Sequence, residues 1–118
     1  MAVSKKLKAY RKGHCAETLA AIALTLKGYR VVAKRFKTPV GEVDLIARKK
    51  DLVVFVEVKA RATEDAALNS ISISAQKRIS SAGEWWLSQQ NDASSLSWRF
   101  DVMAVLPWQW PRHFEDVW

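Results

Sequence analysis

Two carboxylates and one ammonium group in the middle of this chain, Asp44, Glu57 and Lys59, could support chemistry together. Carboxylate oxygens suit hard divalent cations such as Mg²⁺ or Mn²⁺, and Mg²⁺ held by one or two carboxylates keeps open positions for phosphate oxygens. Such an ion can activate a water molecule for attack on a phosphodiester. Lys59 could orient that water or meet charge that develops in the transition state. Asp44 and Glu57 are therefore candidate ligands for Mg²⁺ or Mn²⁺.

A β-hairpin is needed to bring these residues together. Residues 41–47 largely alternate between polar and apolar side chains, and residues 52–58 form an almost unbroken β-branched and aromatic run, so both segments are predicted strands. If residues 50–51 form the tip of the turn, Asp44 faces Glu57, and directly opposed residues share one face of a sheet. A slip of one residue would send the two carboxylates to opposite faces.

A structural explanation of these charges is also open. In the same register Glu42 faces Lys59, and the two could form a cross-strand ion pair of small energetic value. Charged residues at strand ends are often only solvated. Glu57 argues for a functional role, because it lies between Val56 and Val58 in a strand of otherwise apolar residues, where a carboxylate is costly to bury.

The same segments resemble a known protein family. The runs GEVDLIA at residues 41–47 and VFVEVK at residues 54–59 resemble the YraN family of small bacterial proteins, which belong to the restriction-endonuclease-like PD-(D/E)XK group and are similar to archaeal Holliday-junction resolvases. The proline of the group's name is replaced here by Val43. Further matches extend over nearly the whole chain, at Gly13, Glu17, Gly28, Tyr29, Gln76, Arg78 and residues 99–102.

This resemblance implies a metal-dependent endonuclease that acts on DNA, with structured or branched DNA favoured. It implies that Mg²⁺ or Mn²⁺ is bound by Asp44 and Glu57, and that these two residues, Lys59 and Glu17 are catalytic. A second possibility stays open, because a catalytically silent nucleic-acid-binding or adaptor protein could retain the same fold. A homodimer is a further possibility, since paired nicks in a four-way junction require two active sites.

The first helix is expected to carry Glu17 toward the sheet. Residues 13–27 are helical by composition, and Gly28 is a suitable residue for the helix end. Glu17, Ala20 and Leu24 fall on one stripe at three- and four-residue spacing, which places a carboxylate on a largely apolar face. Such a residue could reach the sheet, or it could be a boundary residue with its carboxylate in solvent.

The charge of the chain is unevenly distributed. Residues 1–61 contain 15 Lys and Arg against 5 Asp and Glu, whereas residues 62–118 contain 4 against 7. A basic face around the candidate site suggests a polyanionic partner, nucleic acid before membrane, although a small domain can also be basic without a specific partner. A predicted helix N-terminus near Gln76 and Lys77 is a natural phosphate site. The expected contacts to DNA are Lys12, Arg61, Gln76, Lys77 and Arg78.

The predicted order of elements is α-β-β-β-α-β in a single domain of 118 residues. The first strand covers residues 29–36, residues 62–70 form a loop, and a second helix capped by Ser74 runs to about residue 90. A fourth strand covers residues 98–106 and is expected to be parallel to the third, because a helical crossover connects them. The fold class is therefore α/β, a restriction-endonuclease-like core whose mixed sheet is flanked by helices.

Both ends of the chain depart from the core pattern. Residues 1–11 are predicted to be a flexible basic arm, and residues 107–118 a Trp-rich tail. Exposed tryptophans could stack on unpaired bases, cover the sheet edge or mediate self-association. The single Cys15 excludes an internal disulfide and fits a reducing compartment. No segment approaches the roughly 18 uninterrupted apolar residues of a membrane span, so a cytoplasmic protein without membrane contact is expected.

Overall fold

The computed structural model describes residues 5–118, with side chains from His14 onward. Its helices are α1 (Lys5–Leu26), α2 (Glu64–Asn69) and α3 (Ile73–Ser88), and Ala93–Ser95 form one 3₁₀ turn. Its strands are β1 (Arg30–Thr38), β2 (Gly41–Lys49), β3 (Leu52–Ala60), β4 (Ser97–Val105) and β5 (Arg112–Phe114). They form one sheet in the order β1-β2-β3-β4-β5. The predicted α/β class, mixed sheet and α-β-β-β-α-β order are confirmed, with α2 and β5 as additions.

The central hairpin has the predicted register. Ile46 lies opposite Phe55, and the chain reverses at a two-residue turn formed by residues 50–51. β4 runs parallel to β3, with Asp101 beside Val56, as expected for a strand that follows a helical crossover. The candidate catalytic residues therefore lie on β2 and β3, two interior strands of the sheet.

Helices cover both faces of the sheet. On one face α1 packs Leu24 into a buried cluster that contains Val54 of β3. On the other face α3 packs Trp86 against Phe55, the next residue along β3. A Cβ atom at Gly83 of α3 would lie 3.2 Å from the Phe55 ring, so a glycine at this position permits the close approach of the helix. The apolar run in β3 is unbroken because this strand is buried on both faces.

The first helix is longer than predicted. α1 begins at Lys5 rather than at residue 13, so part of the predicted basic arm is helical, whereas residues 1–4 lie outside the described part of the chain. The basic residues before Gly13 carry no apolar stripe, but a helix that is already nucleated adds further turns at little cost. No helix within residues 5–118 is long and apolar enough to cross a membrane.

Helices α2 and α3 also differ from the prediction. Residues 62–70 were predicted to be a loop, but they contain α2, where the Thr63 hydroxyl accepts a hydrogen bond from a backbone N–H in the first turn. α3 begins at Ile73 because Ser72, and not Ser74, is its N-cap: the Ser72 hydroxyl accepts the N–H of Ala75 at 3.0 Å. Two serines at such short spacing are equivalent as caps by residue type alone.

The C-terminal tail adds a strand to the sheet. β5 pairs antiparallel with β4 and carries His113. Trp118 stacks on Phe100, with ring centroids 5.5 Å apart, and so covers part of the sheet. Trp108 and Trp110, in contrast, are exposed. One part of the Trp-rich tail therefore packs on the domain, and another part presents indole rings to solvent.

Candidate active site

A cleft of about 870 Å³ opens at the ends of β2 and β3, beyond the last paired residues of the hairpin. All four residues predicted to be catalytic line it, namely Glu17, Asp44, Glu57 and Lys59. Arg61 and Arg78, two of the five predicted DNA contacts, line it as well. The fold thus brings together side chains from α1, β2, β3 and α3 with the residue that follows β3.

Asp44 is fixed by a hydrogen bond from the neighbouring strand. The β2–β3 ladder ends at the pair Leu45 and Val56. Beyond that pair the Asp44 carboxylate takes the role of a backbone acceptor, because its Oδ2 accepts the N–H of Val58 at 2.8 Å. An unpaired backbone N–H at this place would be costly. The same bond holds the Asp44 carboxylate next to the part of β3 that carries Glu57.

Glu57 has an unfavourable environment for a negative charge. Burial, together with the hydrogen bond to Asp44 and the negative charge of Asp44, raises the pKa of Glu57 to about 9, and the positive charge of Lys59 opposes this only in part. Two carboxyl groups in contact cannot both ionise without repulsion. At neutral pH the pair therefore retains a proton that a cation could replace.

The donor set of this pair fits Mg²⁺ or Mn²⁺ better than a softer metal ion. Two carboxyl groups offer only oxygen donors, which hard cations prefer. Among the described side chains, no group of three or more His, Cys, Asp and Glu residues is arranged to hold an ion. Mg²⁺ commonly binds proteins through one or two carboxylates and keeps several waters. Asp44 and Glu57 match that mode of binding.

Glu17 lines the cleft but is paired with a residue that was not predicted. Its Oε2 accepts a hydrogen bond from the Nε of Arg35 at 2.7 Å, which forms a salt bridge between α1 and β1. Arg35 has a left-handed backbone conformation, with φ of 50°. Such a conformation is uncommon for a residue other than glycine, and no spacing in the sequence indicates it. Glu17 thus lies at the cleft with its carboxylate held by Arg35.

Arg78 reaches the cleft because α3 packs tightly on the start of β2. A Cβ atom at Gly41 would collide with the backbone carbonyl of Arg78, so only glycine allows this approach. The guanidinium of Arg78 donates to the hydroxyl of Ser74 at 2.8 Å, one turn earlier in the helix. Gly41 belongs to the GEVDLIA run, and the structure gives a packing reason for its presence.

The other predicted DNA contacts are not in the cleft. Ala75, Arg78 and Ile79 line it, and this spacing defines one face of α3. Gln76 and Lys77 fall between these positions and do not line the cleft. The Gln76 side chain donates to the carbonyl of residue 71 at 3.4 Å, a long contact within the same segment. The side chain of the fifth predicted contact, Lys12, lies outside the described residues.

Lys37 is a cleft residue that was not predicted. It lies opposite Glu42 in the β1–β2 ladder, and both residues line the cleft. The first strand was predicted to end at Phe36, but β1 continues to Thr38, whose hydroxyl accepts the N–H of Gly41 at 3.1 Å and closes the turn into β2. In the sequence, Lys37 directly follows the predicted end of the first strand and precedes the turn, and this position could have indicated its role.

Comparison with known proteins gives a consistent result over most of the chain. A model of the uncharacterised protein family UPF0102 matches residues 16–105. A UPF0102 protein of Chelativorans sp. (strain BNC1) is 58% identical over 110 residues, which cover 93% of this chain and 89% of that relative. A UPF0102 protein of Sinorhizobium medicae (strain WSM419) is 54% identical over 112 residues, which cover 95% of this chain and 92% of the relative. The matched region contains every residue of the cleft described above.

Proposed function

The chain belongs to the uncharacterised protein family UPF0102, and we propose that it is a metal-dependent endonuclease that hydrolyses phosphodiester bonds in DNA, with structured or branched DNA as its favoured substrate. The membership itself confirms the resemblance to the YraN family. The proposal about activity rests on the cleft, and the carboxyl pair formed by Asp44 and Glu57 is the observation that carries it.

These two carboxyl groups are held in contact without a cation from the protein. None of the salt bridges among the described side chains includes Asp44 or Glu57. The cross-strand ion pair between Glu42 and Lys59, the alternative structural explanation, is also not among them. Strongly perturbed carboxyl groups in a cleft are typical of functional sites. An arrangement that is unfavourable for the empty protein is understandable if a divalent cation completes it.

The residues of the cleft have distinct roles in this proposal. Asp44 and Glu57 hold Mg²⁺ or Mn²⁺, which when bound supplies an activated water and neutralises charge on the phosphodiester. Lys59, two residues after Glu57 in β3, orients the attacking water or stabilises charge that develops on the phosphate. Arg61, Arg78 and Lys37 carry positive charge around the same opening, and they would position the DNA backbone through its phosphates. Because Glu57 is protonated in the empty site, ion binding also requires the loss of this proton.

Cleavage of defined DNA substrates tests the proposal. The purified protein is incubated with fluorescently labelled duplex, single-stranded, flapped and four-way-junction DNA, each with Mg²⁺, with Mn²⁺ or with a chelator. We expect cleavage only with a metal ion and fastest turnover on a branched or flapped substrate. Glu57→Gln should slow cleavage roughly 10²–10³-fold but leave DNA binding intact, since Glu57 is protonated in the empty site and its replacement removes no charge there.

Glu84→Gln is the matched control, because Glu84 is exposed on α3 and lies outside the cleft. It should cleave like the unsubstituted protein. The proposal fails if none of the four substrates is cut with either metal ion. If, in addition, Glu57→Gln changes neither metal binding nor DNA binding, the catalytically silent binding or adaptor protein is the better description.

A further inference from the structure

An apolar groove of about 370 Å³ adjoins the catalytic cleft. Leu19, Leu106 and Trp108 contribute its apolar surface. Ala16, Ala60 and Arg61 line both the groove and the cleft, so that the two are continuous. The volume lies within the range of about 300–1,000 Å³ that is typical of sites for small organic groups. A strand of DNA whose phosphate lies in the cleft would therefore have this groove beside it.

Trp108 lies at the open edge of this groove. Its exposed fraction, 103%, is that of a side chain in an unfolded chain, so packing does not explain its position. Its backbone has φ of 59°, in the left-handed region that bulky residues avoid. Strain of this kind persists where the surrounding structure or a function maintains it. Here the strained turn after Pro107 holds an indole ring in solvent at the mouth of an apolar groove.

We propose that this groove binds an unpaired base of the DNA strand that enters the catalytic cleft, so that the enzyme selects DNA with unpaired nucleotides next to the bond to be cut. This inference rests on the proposed function. An indole face stacks on any base with little regard for sequence. Arg61 lies where groove and cleft meet and is exposed, so its guanidinium can meet the phosphate that links the bound base to the reacting nucleotide.

The groove favours an unpaired base over a paired one for an energetic reason. A base in intact duplex must leave its stack and its partner before it can enter, which costs a few kcal/mol. A base in a flap, a gap or a junction has already lost its pairing, so that most of the stacking energy on Trp108 is gained in binding. The continuity with a basic cleft favours a nucleic acid over a protein as the occupant, because Arg61 complements a phosphate.

Binding measurements in a chelator test this inference independently of cleavage. Fluorescence anisotropy compares a flapped duplex with a fully paired duplex of the same length. The unsubstituted protein should prefer the flapped DNA. Trp108→Ala should lower the affinity for flapped DNA about 10-fold, the scale for the loss of one stacked base, and should change the affinity for paired DNA less than about 2-fold. A 2-aminopurine in the flap should be quenched by the unsubstituted protein and not by Trp108→Ala.

Trp98→Ala is the matched control. Trp98 is also exposed, at 52%, but it lies beside Val53 of β3, about 20 Å along the strand from Lys59. Its removal should leave both affinities unchanged.

Equal affinity of the unsubstituted protein for the two DNAs, or an equal loss for both in Trp108→Ala, would overturn the inference. So would a change in sedimentation of Trp108→Ala without a change in flap preference, since the groove would then be a contact between copies of the chain.

The same measurements separate this inference from the proposed function. If flapped DNA is preferred through Trp108 but no substrate is cleaved with either metal ion, the base-binding groove stands and the nuclease proposal fails. If the protein cleaves paired and flapped DNA at equal rates, and Trp108→Ala does the same, the nuclease proposal stands and the groove has no role in substrate choice.

Discussion

Two acidic sites on neighbouring strands accommodate a carboxyl group in opposite ways. Asp101 of β4 lies beside Val56, one residue before Glu57, and by strand alternation the two acids lie on opposite faces of the sheet. Asp101 is completely buried, yet it accepts hydrogen bonds from Arg99 at 2.8 Å, from the His113 ring at 2.7 Å and from the backbone N–H of Asp116 at 3.0 Å. Glu57 has another acid, Asp44, as its hydrogen-bond partner.

The pKa values follow from these surroundings. Burial by itself would raise the pKa of Asp101, but the hydrogen bonds from His113 and Arg99 outweigh it and lower the pKa to about 2. At Glu57 burial and Asp44 act in the same direction, and the pKa is raised to about 9. The first site is complete within the protein and ties β5 to the sheet. The second is incomplete, which is typical of a place where a ligand binds.

Removal of the Asp101 charge should have the largest effect on stability. Asp101→Asn leaves Arg99 without its buried counter-charge and disturbs the hydrogen bond with the His113 ring, and such a loss costs about 3–5 kcal/mol of unfolding free energy. Urea unfolding at pH 7 measures it. Glu64→Gln is the matched control, because Glu64 pairs with Arg112 nearer the surface, where a pair contributes only about 0–1 kcal/mol. Equal losses in the two variants would mean that the Asp101 cluster is not a structural tie.

Glu57→Gln, in contrast, should lower activity and raise stability. We expect its cleavage rate to fall roughly 10²–10³-fold, the scale for the loss of one electrostatic group in an active site. Its unfolding free energy at pH 7 should rise by about 1–2 kcal/mol, because relief of an unfavourable functional site commonly stabilises by this amount. Mg²⁺ should stabilise the unsubstituted protein and Glu84→Gln but not Glu57→Gln. A loss of stability in Glu57→Gln would contradict the view of Glu57 as an uncompensated acid.

The pH dependence of stability should separate the two sites in one experiment. Folding raises the pKa of Glu57 from 4.5 to about 9, so the folded state retains a proton that the unfolded state loses, and stability falls as pH rises through this window. Folding lowers the pKa of Asp101 from 3.8 to about 2. Its contribution, about 2–3 kcal/mol, is present above pH 3.8 and is lost as pH falls through 2.

Urea unfolding between pH 2 and 9 measures both slopes. Glu57→Gln should remove the decline at high pH and leave the acid limb unchanged, whereas Asp101→Asn should remove its contribution to the acid limb. Identical pH profiles of the two variants would contradict the assignment of opposite pKa shifts to these residues.

Glu17→Gln should have the smallest effect. Glu17 lines the cleft, but Arg35 holds its carboxylate, so it would tune the metal site rather than create it. We expect a loss of about 10-fold in activity or metal affinity, the lower end of the scale for groups that support metal ligands. Titration with Mn²⁺ and single-turnover cleavage measure the two quantities. A loss as large as that of Glu57→Gln would instead make Glu17 a direct ligand.

The amino-acid sequence by itself was sufficient for the hairpin and for the proximity of its two acids. The period of two, the apolar run of β3 and a two-residue turn act over short distances along the chain, so the register that brings Asp44 next to Glu57 could be predicted. The parallel arrangement of β4 could also be predicted, because it follows from the helical crossover between β3 and β4.

The tertiary structure alone decided the features that depend on segments distant in sequence. Examples are the salt bridge of Glu17 with Arg35, and the hydrogen bond between Arg99 and Tyr29, 70 residues apart. The exposure of Trp108 also depended on the tertiary structure. Tryptophan side chains occur both in protein cores and at surfaces, so the residue type alone does not predict which applies. Whether a carboxylate is compensated depends on which distant cations fold against it, and neither spacing nor composition contains that information.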